Sequence, residues 1–404
     1  MASSRGGKKV LILYNQADSL AKGEARDLIS AQGVALVAAA VEQALQRKHQ
    51  VVCLPVSFDL REVLSSYDPS EWVVFNLLEG LGNRADLEPE AAAILERLGY
   101  RYTGAPPETL ALCLDKSRTK RVLEFNGIPT PAYQVCDNRN IEVSIPLPAI
   151  VKPVAEDASL GIDDEAVVTT LDQLRDRVRY VLDTYREPAL VEEFIDGREF
   201  NVALWGNGRP ECLPLAEIDY SGIGDPLRRI CSYAAKWEPA RDEYHLTPVI
   251  CPAKADSCLA ESIRGVAIAA YEAFGCRGYA RVDMRVRGRE PYVLEINPNP
   301  DISPDAGFAR AAIAAGNTYP DMVEKILRLA EGPLSSSATP PALRATGVNA
   351  CIAAQTVTAH VPTDGGGQLL LAQAEESKTH LQSSETSDSG HLIASLRISC
   401  ALGS

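Results

Sequence analysis

Two segments near the end of the main body limit what this chain can fold into more than any other feature. They are Tyr279-Ala-Arg281-Val-Asp283 and Tyr292-Val-Leu-Glu295-Ile-Asn297-Pro-Asn299-Pro300. Each reads as a strand, in which residues two apart face the same side. Arg281 and Asp283 therefore project together, as do Glu295 and Asn297. If the two strands are neighbours, three oxygen-bearing side chains and a guanidinium meet on one surface. Asp, Glu and Asn oxygens suit Mg²⁺, which keeps the rest of its octahedron for water and phosphate. The same spacing also fits two strands whose polar side chains merely satisfy one another as ion pairs.

What the chain lacks narrows the chemistry further. Of its five histidines, His360, His380 and His391 fall close to the C-terminus, leaving His49 and His245 for the body. That is too few for a His-rich zinc site or a Ser-His-Asp machine, so Lys, Arg, Asp, Glu and Asn are expected to carry the work. Ten cysteines form no CxxC pair and read as small buried hydrophobes in a reducing cytosol. A net charge of -14 argues against a nucleic-acid partner, because neutralising phosphates needs a surplus of Lys and Arg. An anionic substrate would need a local cationic site. The longest apolar run, Val34 to Val41, is far short of the about 20 residues of a membrane span. The first residues pass into a strand without an apolar leader-like stretch, so a cytoplasmic protein is expected.

Periodicity divides the 404 residues. Strands are expected at Lys8–Tyr14, Val51–Pro55 and Trp72–Asn76, with helices at Gly33–Arg47 and Glu88–Leu98, the second closed by Gly99. This spacing suggests an open α/β sheet. After Pro106-Pro107 one helix is expected from Pro107 to Asn126, then strands at Ala132–Val135, Ala149–Lys152, Ala166–Thr169 and Ala189–Phe194 around a helix at Leu171–Tyr185. A last α+β block carries strands at Phe200–Trp205, Arg281–Val286 and Tyr292–Asn297 and helices at Cys258–Phe274 and Pro320–Ala330. Beyond Gly332 the chain is serine-rich, with Gly365-Gly-Gly367 and little sustained periodicity. A disordered tail is expected there.

Several cations recur along the body: Lys116, Lys152, Lys236 and Arg281. Lys152 ends a buried-looking strand, so it must find a partner or solvent, and a polyphosphate would serve. The loop Glu156–Gly161, with Ser159 and Gly161, could close over phosphates through its backbone N–H groups, or be an ordinary turn. Ala189–Phe200 mixes acidic and apolar residues and suits either an adenine slot with a ribose carboxylate or a plain edge strand.

In order, these segments resemble the ATP-grasp superfamily, and within it the D-alanine–D-alanine ligase family. The matching pieces are Val74-Phe-Asn76, Tyr102-Thr-Gly104, Leu114-Asp-Lys116 with Thr119-Lys120, Gly127-Ile-Pro-Thr-Pro131 and Ile150-Val-Lys-Pro153. They continue with Val191-Glu-Glu-Phe, Gly197-Arg-Glu-Phe200, Cys251-Pro-Ala253, Gly278–Asp283 and Leu294–Pro300. The resemblance covers residues 8 to 331. It implies an N-terminal open α/β substrate domain (1–106) and a two-part ATP-grasp fold (107–195 and 196–332), followed by the tail, 333–404. It implies that Lys116 and Lys152 contact ATP phosphates, with Ser159 and Gly161 in the covering loop. Glu192, Glu193 and Ile195 would line the adenine slot, and Glu199 would hold the ribose. Lys236 would reach the transferred phosphate and Arg281 the developing oxyanion, while Asp283, Glu295 and Asn297 would hold Mg²⁺, or Mn²⁺ in its place. The implied reaction is an ATP-dependent ligation of a carboxylate to an amine through an acyl-phosphate.

Set against the family's pattern, nucleotide and metal positions are mostly kept, with one departure in the phosphate loop, and substrate positions are changed together. Glu79 stands where the family has a histidine, Ala158 replaces the first of two serines, Trp237 replaces a tyrosine, and Ala306 replaces a serine that holds a substrate carboxylate. In place of the family's amino-terminal Gly-Gly-x-Ser-x-Glu segment the chain reads Ser19-Leu-Ala-Lys-Gly-Glu-Ala-Arg26. The expected substrates are therefore amino acids or small peptides other than a D-alanine pair, with Glu79 facing an ammonium or guanidinium. A genuine D-alanine–D-alanine ligase with a modified pocket, a kinase that stops at phosphorylation, and a non-catalytic ATP-binding regulator stand as alternatives. A homodimer is left open.

Overall fold

The computed structural model describes residues 7–15, 33–82, 84–139 and 141–332. Within them the first strand, β1 (Lys9–Asn15), is followed by α1 (Val34–Leu45), β2 (Gln50–Val56), α2 (Leu60–Leu64), β3 (Trp72–Leu77), α3 (Glu88–Arg97) and β4 (Arg101–Tyr102). These strands form a parallel sheet in the order β2-β1-β3-β4. Leu11 and Leu13 turn to one side, against Leu95 and Tyr102, and Val10 and Ile12 to the other, against α1. Burial on both faces explains why these strands read as continuous apolar runs. Asn15 and Asn76–Glu79 lie at the carboxyl ends of β1 and β3, the edge where open parallel sheets bind their ligands.

Next come α4 (Pro107–Leu114) and α5 (Lys116–Phe125), then β5 (Tyr133–Cys136), β6 (Ala149–Pro153), β7 (Val167–Val168), α6 (Leu171–Thr184) and β8 (Ala189–Glu193). The single helix expected over 107–126 is two helices. Asp115 between them is extended (φ -92, ψ 100), and its carboxylate accepts from Ser117 N at 2.9 Å and Arg118 N at 3.1 Å. It is an N-cap, a signal available in Asp-Lys-Ser-Arg and overridden by the apolar periodicity around it. The break puts Lys116 at the first position of α5, with its N–H donating to Val154 O at 3.0 Å. Asp115→Ala is expected to cost about 1 kcal/mol, read as a fall of about 2 °C in melting temperature. β5, β8, β6 and β7 form an antiparallel sheet in that order, covered by Leu174, Val178 and Val181 of α6.

The last part contains β9 (Arg198–Gly206), β10 (Glu211–Cys212), β11 (Ala216–Ile218), α7 (Tyr233–Trp237), α8 (Asp242–Leu246), β12 (Val249–Ile250), α9 (Ser257–Ala273), β13 (Gly278–Arg287), β14 (Glu290–Asn297), α10 (Gly307–Ala314) and α11 (Tyr319–Leu329). Its antiparallel sheet runs β12-β11-β9-β13-β14, with β10 on β9. α9 lays Leu259, Ile263, Ala267 and Ala270 onto Phe200, Val202, Val282 and Met284; each buried Leu or Ile contributes roughly 1.5–3 kcal/mol. On the opposite face, Met322, Val323 and Ile326 of α11 share one core with Val41 and Leu45 of α1 and with Phe308 of α10. His49 and Glu324, 2.9 Å apart, close the edge of that core.

Apart from the helix divided at Asp115, the expected strands and long helices appear within a few residues of their bounds. The short elements α2, α7, α8 and α10 were not foreseen; too few turns are present to set a period. All cysteines among the described residues are free. Residues 333–404 and the Ser19–Arg26 segment lie outside the described residues.

Candidate active site

The two segments that opened the sequence reading are paired. Antiparallel register sets Arg281 opposite Asn297 and Asp283 opposite Glu295, with a bulge immediately after, so that Met284 faces Val293 and Leu294 is the extra residue. All four polar side chains therefore share one face. On the other side of β13, Asn201 of β9 stands opposite Asp283. Asp283 accepts from Arg281 Nε and Nη2, both at 2.7 Å, from Asn201 Nδ2 at 2.8 Å and from Asn297 Nδ2 at 3.0 Å. Asn201 was not foreseen, although Glu199 and Asn201 repeat the period-two spacing that drew attention to the hairpin.

Glu295 looks into a cleft of about 1750 Å³ that also receives Lys152, Ser159, Lys236, Arg281 and Glu79. Lys116 Nζ lies 3.9 Å from Glu295 and donates to Asp157 at 3.0 Å and to the carbonyl of Glu156. Burial opposes ionisation of Glu295, but Lys116, Lys152, Lys236 and Arg281 outweigh it and hold its carboxyl down at about 2. Lys116 is pulled the other way: burial disfavours its charge, and Asp157 and Glu295 more than restore it.

The loop between β6 and β7 is docked rather than open. Ala158 and Ser159 have φ of 54° and 64°, a left-handed conformation that costs non-glycine residues roughly 1 kcal/mol each. It is held by Ser159 Oγ donating to Cys231 O at 2.8 Å and by Trp237 Nε1 donating to Ala158 O at 3.0 Å. Gly161, at φ 72°, has no room for a Cβ, which would meet Pro153 Cγ at 2.6 Å. Trp237→Phe deletes one of these bonds, worth about 0.5–1.5 kcal/mol. It is expected to raise KM for ATP several-fold with little change in melting temperature.

Glu193, Ile195 and Glu199 line the far end of the cleft. Glu193 pairs with Arg287 across the surface. Glu199 Oε2 accepts from Arg285 Nε at 2.9 Å and Tyr220 OH at 3.0 Å. Arg285 also donates to Ile195 O at 2.9 Å and to Arg229 O. Neither Arg285 nor Tyr220 was singled out from sequence. Glu192 is turned differently from its neighbours: its buried carboxylate forms ion pairs with Lys152 and Lys120.

A family model described as the D-ala D-ala ligase C-terminus matches residues 122–328, half of the chain. A D-alanine–D-alanine ligase of Desulforamulus reducens is 30% identical over 307 residues, 72% of this chain and 91% of that protein. The chain belongs to the D-alanine–D-alanine ligase family. An uncharacterized protein, y4sG, of Sinorhizobium fredii is 37% identical over 261 residues, 64% of this chain and 74% of its own length. The fold matches the crystal structure of D-alanine–D-alanine ligase from Bacillus anthracis complexed with ATP, with a TM-score of 0.63 at 21% identity, covering 80% of this chain and 97% of that one.

As a family member the chain is an ATP-dependent, ADP-forming ligase with the ATP-grasp fold. Among the ligase's described residues no three His, Cys, Asp or Glu side chains converge; the hairpin presents two carboxylates and an amide. No helix among them is long and apolar enough to cross a membrane. At the other end of the ligase's cleft, Glu79 N donates to Asn15 Oδ1, and Asn299 Nδ2 donates to Glu88 at 2.9 Å. Glu79 is solvent-exposed at the mouth of the open cleft, yet the protein packed around it, helped by Asp301 and Asp157 and opposed by Lys236, raises its carboxyl to about 7. Burial raises Glu88 to about 8.

Proposed function

We propose that this ligase joins the carboxylate of one small substrate to the amine of another through an acyl-phosphate, using ATP and Mg²⁺, on amino acids or small peptides. The observation that carries the reading is the register that sets Arg281, Asp283, Glu295 and Asn297 on one face of a cleft shared with Lys152 and Lys236, with Lys116 3.9 Å from Glu295. Phosphoryl transfer asks for positioning and neutralisation of charge rather than a nucleophilic side chain, and this cleft offers both without histidine. The three-part division at 106/107, 195/196 and 332/333 goes with this reading and is supported by the three separate sheets.

A carboxylate oxygen of the first substrate attacks the γ-phosphorus and ADP leaves; the ammonium of the second gives up a proton to solvent, the free amine attacks the acyl carbon, inorganic phosphate leaves, and the remaining excess proton passes to that phosphate. Lys116 and Lys152 hold the nucleotide phosphates under the Ser159–Gly161 loop. Glu193 and Ile195 border the adenine slot, and Glu199, fixed by Arg285 and Tyr220, meets the ribose. Lys236 steadies the phosphoryl group in flight. Arg281, braced by Asp283, faces the oxyanion of the tetrahedral carbon. Hard oxygen donors in small number suit a cation that also binds phosphate, so Asp283, Glu295 and Asn297 fit Mg²⁺. When bound, the ion supplies charge neutralisation on the phosphates.

Glu79 gives the amine end its polarity. An ionised carboxylate there attracts a substrate ammonium or guanidinium, and it is ionised only above its raised pKa of about 7. KM for the amine substrate is therefore expected to rise as pH falls through about 7, and Glu79→Gln should abolish that acid limb. An unchanged limb in the variant would assign it to another group.

The reading is tested by incubating the protein with ATP, Mg²⁺ and panels of D- and L-amino acids and short peptides, following phosphate release and product mass together. Phosphate release tied to a condensed product supports it. Tight ATP binding without turnover on any panel would sink it. D-alanine alone belongs in the panel: efficient D-alanyl-D-alanine formation would show that Glu79 and Ala306 modify an old pocket rather than define a new one.

A further inference from the structure

Lys120 plays no part in the chemistry above, yet it is the most deeply buried cation at the site. It lies on α5 one turn beyond Lys116, with 0% exposure. Its ammonium has three acceptors: one oxygen of Glu192, Thr130 Oγ1 at 2.8 Å and Val293 O at 3.2 Å. An ammonium has three N–H donors, so Lys120 is fully satisfied where it stands. Lys152 holds the other oxygen of the same carboxylate and has no other hydrogen-bond or ion-pair partner among the described residues. It lines the cleft, whereas Lys120 does not.

One buried carboxylate thus serves two lysines, and only one of them faces the space where phosphate would lie. For Lys152 to turn to a phosphate it must give up Glu192. A buried carboxylate left without a counter-charge is strongly unfavourable, so that departure requires a second cation that stays behind.

We infer that Lys120 is a positioning residue: it neutralises Glu192 permanently, and so leaves Lys152 free to bind nucleotide phosphate. This rests on the reading of Lys152 as a phosphate ligand. Burial and the charge of Lys152 lower the Lys120 pKa to about 8, with Glu192 opposing them. Lys120 therefore still carries its charge at neutral pH. Against the effect of burial, the two lysines hold Glu192 ionised.

The test compares binding of ATP and of adenosine, by calorimetry, to the full chain and four variants. Lys120→Met should weaken ATP by on the order of 10-fold or more, since Lys152 is now the sole partner of Glu192. Adenosine, which has no phosphate for Lys152 to meet, should change little. Removing the carboxylate charge as well, in Lys120→Met/Glu192→Gln, should return ATP affinity to within a few-fold of the parent. Lys120→Arg, which keeps the charge, should stay near the parent. A merely structural lysine predicts the opposite: ATP and adenosine weaken together, and the double variant is no better than the single one. Should the single variant fail to fold, the double variant decides alone. Parental-like ATP binding upholds the inference, and weak ATP binding by the folded double variant overturns it. Lys152→Ala separates the two layers. If it leaves ATP affinity intact, the phosphate reading itself fails; if it weakens ATP while Lys120→Met does not, only the role of Lys120 falls.

Discussion

Glu295→Ala is expected to lower turnover by on the order of 100-fold or more while the protein stays folded. Glu295 sits directly opposite Asp283 on the hairpin, is about one-third exposed in the cleft, and lies 3.9 Å from Lys116. It is the anion on which four cations converge. Removing it leaves the cleft more positive, so nucleotide in its ground state need not bind more weakly. What is lost, on the proposed reading, is a charge placed to hold the ion that would neutralise the phosphoryl group in transit, an interaction of the transition state. The expected signature is a large fall in kcat, a modest change in KM for ATP and a weaker dependence on Mg²⁺ concentration. Wild-type turnover in the variant would show that the site is elsewhere. The side chain is not part of a core cluster, so the melting temperature should move little.

Lys152→Ala is expected to be comparably severe in turnover, on the order of 100-fold, but to show first in KM for ATP. On the proposed reading Lys152 meets the nucleotide before any bond changes, so its contribution is made in the ground state as well as in the transition state. Stability should survive, because Glu192 retains Lys120 when Lys152 is gone. Steady-state kinetics with ATP as the varied substrate, run beside a thermal melt, check both halves. A collapse of the fold instead would mean that Lys152, not Lys120, is the structural partner of Glu192.

How far these features were legible in the sequence depends on the length over which each is encoded. The hairpin was legible because period two is a strict rule within a strand: Arg281 and Asp283, or Glu295 and Asn297, must share a face whatever the partner. Which strand lies beside which is set by pairing energies between distant segments, so Asn201 opposite Asp283 stayed hidden although it obeys the same rule. Long helices showed themselves through apolar stripes; of the two five-residue helices, α7 is held by its Ser232 cap and by Trp237 bonding to the loop between β6 and β7, and α8 by Glu243 pairing with Arg228. The break at Asp115 was missed because an N-cap is one residue of signal against more than two turns of helix on either side. Lys120 is the instructive case. A lysine on a helix is usually solvated, and nothing in Thr119-Lys120-Arg121 distinguishes the buried cation from the exposed one beside it. Glu192 was expected to line an adenine slot; the direction of its carboxylate, onto Lys120 and Lys152, was not legible, since that follows from the two lysines beneath it.

The core that joins α1 to α10 and α11 has a practical consequence for altering specificity. The end of the cleft proposed to take the amine is built on the first sheet, which invites exchange of residues 7–102 as a cassette between relatives. That sheet, however, is stitched to the far end of the chain through Val41, Leu45, Met322 and Val323, and the cut would open an apolar seam on both fragments. A chimaera that carries α10 and α11 together with the first sheet keeps the seam intact, even though the transplanted pieces lie some two hundred residues apart.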